Sequence, residues 1–192
     1  MHRVSQFALI ASYVCFCWLA FMAVHEFGHV VAAWLTGGSV ASVLLHPLRI
    51  SWTSLSDNPH PQVVAWGGPG LGVGIPLLFC VLGKYLRLPL YFLVRFFAGF
   101  CLVANGLYLV VDSFGREGDG GTLIRTGASP WSLVLFGLVT IPVGFRLWHG
   151  LGPDFGLGRA AGRVSSRALV VSITLLTTIV LVELAFSPSG TH

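Results

Sequence analysis

The sequence predicts an all-α polytopic membrane protein, with about five transmembrane helices and a short re-entrant β-hairpin after the first. Three observations predict it. Of the 192 residues, 55% are hydrophobic and only 9% are charged. Soluble domains carry about 25% charged residues, so lipid is the solvent this composition suits. Five apolar stretches approach or exceed the roughly 20 residues that a spanning helix needs. Between the first and second, the helical pattern gives way to a weak alternation containing Val40, Val43, Ile50, Trp52 and Thr53, which reads as a strand pair.

The first helix is expected over residues 7–35. His2 and Arg3 precede it as in a signal peptide, but the apolar run continues past Val30, so it reads as a retained helix. Gly37 and Gly38 close it. The hairpin follows over 39–55. Further helices are expected over 63–82, 89–112, 131–148 and 168–186. The link over 113–130 is rich in glycine, and the link over 150–167 carries Arg159, Arg163 and Arg167, a basic face suited to anionic lipid. The whole of 1–192 is expected to form one integral membrane domain. Its core covers about 15–130, additional helices lie in 131–186, and 187–192 is a disordered tail. The expected location is the cell membrane, as a multi-pass protein.

The net charge of +4 is scattered and forms no basic stripe with interleaved aromatics, which argues against nucleic-acid binding. Cys15, Cys17, Cys80 and Cys101 all lie in apolar runs without a Cys-x-x-Cys pair. They read as small buried hydrophobes.

The chemistry is concentrated in His25-Glu26-Phe27-Gly28-His29. Residues four apart share a helix face, so both imidazoles can reach one ion. Histidine and glutamate are costly in a membrane and are kept there by function. A zinc ion at this point would make hydroxide available near neutral pH, and Glu26 could pass the proton to a leaving amine. A catalytic zinc usually has a third protein ligand. Five spans place the C-terminal half of the first helix on the same side as residues 36–62 and 113–130. Asp119, within Gly118-Asp119-Gly120-Gly121, and Asp112, at the end of the third helix, are the candidates on that side. His46, His60, His149, Asp154 and Glu183 are more remote.

At these residues the chain resembles the site-2 protease family of intramembrane zinc metalloproteases. The resemblance rests on the His25–His29 motif inside a membrane helix, on Gly67-Gly68-Pro69-Gly70 opening the second helix, and on Asn105 followed by Asp119-Gly120. It covers roughly residues 15–130. It implies Zn2+ held by His25, His29 and Asp119, with Glu26 as catalytic base. Gly68, Pro69 and Asn105 would orient substrate or the metal loop, and the hairpin would be the strand-like element beside the site. The implied partners are the lipid bilayer and a membrane-embedded protein substrate, cleaved within or near its spanning segment. The sequence departs from the family pattern where Tyr108 replaces a proline and Ser113 occupies the spacing of the aspartate. Asp119 falls six residues late and Asp112 one early, so both stay in view. Two other functions also stay open: a catalytically inactive zinc-binding membrane scaffold, and a metal-handling transporter.

Overall fold

A computed structural model describes residues 2–115 and 117–186. The chain runs through α1 (His2–Leu35), β1 (Ser39–Leu44), β2 (Trp52–Asp57), α2 (Pro61–Tyr85), α3 (Tyr91–Gly115), α4 (Gly118–Arg125), α5 (Pro130–Trp148) and α6 (Ser166–Phe186). Two short 3-10 turns, Gly152–Phe155 and Gly158–Ala160, lie between the last two helices. Five of the helices are long and apolar enough to cross a membrane. The protein is therefore a multi-pass integral membrane protein, as its composition predicts. The expected tail, 187–192, lies outside the described residues.

Helix α2 packs between α1 and α3, α5 lies against α3, and α6 lies against α1. Glycines set the closest approaches. A Cβ on Gly28 would come within 2.8 Å of the Gly67 carbonyl carbon and 2.9 Å of the Gly68 Cα, so only two bare backbones can cross there. Small residues serve this purpose between membrane helices, where burial of apolar surface from water cannot drive association. The α3–α5 contact uses the same device twice. A Cβ on Gly99 would meet the Gly144 carbonyl at 3.0 Å, and one on Gly137 would meet the Gly106 carbonyl at 2.9 Å.

The side assignments hold. Gln6 donates to the Phe155 carbonyl at 3.1 Å, which ties the start of α1 to the link before α6. The opposite end of α1 meets the hairpin and approaches α4. The hairpin is antiparallel, and Leu44 pairs with Trp52. It reaches Asp57, two residues beyond the expected end, because Ser39 pairs with Asp57 across register shifts on both strands. Such shifts mark β-bulges, which bend a strand.

The glycine-rich link over 113–130 contains a helix where only an open connection was expected. Its glycines bound the helix: Gly118 has φ +53° and Gly127 φ +100°, both in the left-handed region that favours glycine. Leu123 anchors the segment, fully buried with Ala65, Leu109 and Leu133. Of the four cysteines, all free, three are buried as expected and Cys15 is exposed.

Candidate metal centre

The i to i+4 spacing on α1 places His25 and His29 with ring centroids 4.9 Å apart. Their Nε2 atoms are 3.2 Å apart. Asp119, in the first turn of α4, brings Oδ2 to 2.9 Å from His25 Nε2 and 3.2 Å from His29 Nε2. The three donor atoms lie within 4.8 Å of one another, and no other such group of three occurs among the described residues. His25, Glu26 and His29 are all buried.

The opposite ring nitrogens fix the tautomers. Asn105 Nδ2 donates to the Cys101 carbonyl at 2.9 Å, which turns its Oδ1 toward His25 Nδ1, also at 2.9 Å. His29 Nδ1 lies 2.8 Å from the Val64 carbonyl. Both acceptors require Nδ1–H, so each neutral ring presents its Nε2 lone pair to the centre. Two lone pairs and a carboxylate oxygen thus converge, and such a set repels itself unless a proton or a cation lies among them. A tetrahedral zinc with ligands at about 2.05 Å spaces them about 3.3 Å apart, close to the observed 2.9, 3.2 and 3.2 Å. The donor set fits a metal of that kind.

Asp119 is anchored through its main chain as well. Its backbone N–H donates to the Tyr108 hydroxyl at 3.2 Å. Asp112 does not join the cluster. Its Oδ2 accepts from the Gly120 N–H at 3.3 Å, and its carboxylate also pairs with the Tyr108 hydroxyl. Asp112 and Tyr108 therefore hold the start of α4, and α4 carries Asp119 inward.

Glu26 lies next to the cluster and accepts from the Thr53 hydroxyl at 2.7 Å. The second strand thus touches this carboxylate directly. Gly68 faces the imidazoles, since a Cβ there would come within 2.7 Å of His25 Nε2. Pro69 is buried within α2 in the next position, where it removes a helical N–H. Gly72 makes room for Asn105, whose Nδ2 would lie 2.8 Å from an added Cβ. His46, His60, His149, Asp154 and Glu183 take no part in the cluster. Sequence reasoning missed Thr53, the Val64 carbonyl, and the shared support from Tyr108 and Asp112. A hydroxyl in a strand and a main-chain carbonyl carry no signal of their own in a sequence.

Helices long enough to cross the membrane surround an inward-facing group of two histidines and an aspartate beside a glutamate, the arrangement that a membrane-embedded metalloprotease would need. The chain matches the family described as peptidase M50B-like over residues 6–116, and it belongs to that family. The match spans more than half the chain and covers α1 from Gln6 onward, the hairpin, α2 and α3. No curated protein and no solved structure matches the chain.

Proposed function

We propose that this protein is an intramembrane zinc metalloprotease that hydrolyses peptide bonds within or near the spanning segments of other membrane proteins. His25 Nε2, His29 Nε2 and Asp119 Oδ2 hold the zinc, and Glu26 is the general base. The observation that carries this reading is the convergence of three lone-pair donors beside a buried glutamate, inside a bundle of membrane helices.

Bound zinc supplies Lewis acidity that makes water a nucleophile near neutral pH. The remaining work belongs to the chain. Asn105 and the Val64 carbonyl hold the imidazole rings in one tautomer and one orientation, as outer partners of metal ligands do. Glu26 takes a proton from the attacking water. It delivers that proton to the leaving amine as the carbon–nitrogen bond breaks. Thr53 holds Glu26 Oε2, which leaves Oε1 to carry the proton. A cavity of about 300 Å3, lined by His25, Glu26, His29, Thr53, Asn58 and Asp119, among others, gives water and a peptide room beside these groups.

The test compares purified wild type with Glu26→Gln in liposomes, for zinc content and for cleavage of single-span substrates. Equal zinc with cleavage by the wild type alone is expected. Equal zinc with no cleavage by either protein points to a scaffold, and zinc flux into the liposomes points to a transporter.

A further inference from the structure

Helices α1 and α3 flank α2 but meet each other only sparsely. The gap between them is an apolar groove of about 600 Å3. On α1 its wall runs from Trp18 to Glu26, and on α3 from Phe100 to Val111. At 1.5 Å per residue these walls are about 12 and 16 Å long. Trp18, Leu107 and Val111 are exposed at the groove, and they lie on helices that cross the membrane, so the groove opens toward hydrocarbon.

The groove and the polar cavity share four lining residues: His25, Glu26, Ser51 and Tyr108. The two spaces therefore adjoin at Glu26, on a line from hydrocarbon to this glutamate. Two polar atoms along this line lack partners. The Ser51 hydroxyl, in a residue only 6% exposed, has no hydrogen-bond partner, and neither does the buried Asn58 Oδ1. These residues stand immediately before and after β2. Buried polar groups are nearly always paired, so an orphaned pair at the two ends of one strand marks a place where a ligand's polar groups belong.

We propose that the α1–α3 groove is a substrate subsite selective for large apolar side chains, with Ser51 as the positioning residue that donates to the substrate's main-chain carbonyl. The proposal rests on the protease reading above. The occupant is an apolar spanning segment that has locally unwound. Unwinding frees main-chain carbonyls, and a freed carbonyl in hydrocarbon is costly unless a donor meets it. Ser51 supplies the donor at the point where the groove gives way to the polar cavity. Asn58 Oδ1 supplies an acceptor for a freed N–H farther along β2. The wall of Trp18, Phe21, Phe100 and Leu107 offers no partner to a polar side chain, so it discriminates against one.

The test separates binding from cleavage by using the full chain with Glu26→Gln. A photo-crosslinking amino acid replaces Leu107 in the groove. In a control protein it replaces Leu138 on α5, which is also exposed. The probe is a biotinylated single-span peptide of leucine and alanine with a central Gly-Gly, in phosphatidylcholine vesicles. Crosslinking from position 107 is expected to exceed that from 138 at least tenfold. Ala104→Trp, which fills the groove, should reduce it to the control level, as should serines in place of the leucines that flank Gly-Gly. Ser51→Ala should lower the yield several-fold and Ser51→Thr should restore it, with zinc content unchanged in both. Equal crosslinking from 107 and 138 overturns the groove, and a yield unaffected by Ser51→Ala overturns the role of Ser51. Strong crosslinking from 107 with no cleavage by the Glu26-bearing protein supports the subsite while refuting the protease reading.

Discussion

Asn105 and His25 stand eighty positions apart in the chain, yet their side chains meet at 2.9 Å, with the amide oxygen facing Nδ1 of the ring. Asn105 is fully buried, and its other amide atom is committed to the Cys101 carbonyl. It therefore has one orientation, and so does the ring. Asn105→Leu removes the acceptor. Loss of such an outer partner costs 10- to 100-fold in metal affinity. Competition with a chromogenic chelator checks this, and wild-type affinity in the variant would show that α1 alone orients the ring.

Gly68 and Gly70 provide a paired test on one helix. A methyl group at Gly68 would meet both imidazoles, 2.7 Å from His25 Nε2, whereas one at Gly70 would meet nothing within 4 Å. Gly68→Ala is expected to abolish zinc binding, and Gly70→Ala to retain it fully. Metal content measured on both purified variants decides the matter.

The two aspartates differ in role by geometry. Asp119→Ala removes a donor atom and should leave the protein without stoichiometric zinc. Asp112→Ala removes a support of α4 and should weaken zinc binding only several-fold. The reverse ranking in a zinc titration would transfer the ligand role to Asp112.

Thr53→Val deletes the hydroxyl that holds Glu26 and keeps the shape of the side chain. A hydrogen bond to a charged group contributes about 1.5–3 kcal/mol, and even the lower figure corresponds to about a tenfold change in rate. The variant should show kcat lowered about tenfold with full zinc content, and Thr53→Ser should recover most of it. A drop in zinc instead of kcat would place Thr53 in the framework of the site.

Glu183 on α6 is fully buried, and neither carboxylate oxygen has a partner. An unsatisfied buried polar group costs about 1–3 kcal/mol. Glu183→Leu is expected to raise stability by that order, read from thermal unfolding in detergent. Destabilisation would mean that the carboxyl makes an interaction in the membrane.

Much of this architecture was legible because lipid imposes a strict rule. A span must be long, apolar and helical, so five runs in the sequence correspond to five helices. The β-hairpin was legible from the loss of helical periodicity after Gly37-Gly38. The helix at 118–125 was not. Its glycines look like a loop, and the contact that stabilises it, Leu123 with Leu109 and Leu133, joins residues that no local pattern links.

By itself, the sequence determined the two imidazoles and the glutamate, because a four-residue spacing on a helix fixes their relative positions through local backbone geometry alone. Only the tertiary structure sets the positions of Asp112 and Asp119 apart. They are seven residues apart, and an unbroken helix would carry both on one face. The chain instead turns at Gly118, α4 packs against α2 and α3, and Asp119 meets the two imidazoles while Asp112 accepts from the Gly120 N–H. That placement depends on Tyr108, Leu109 and the packing of α2, contacts that only the assembled bundle supplies.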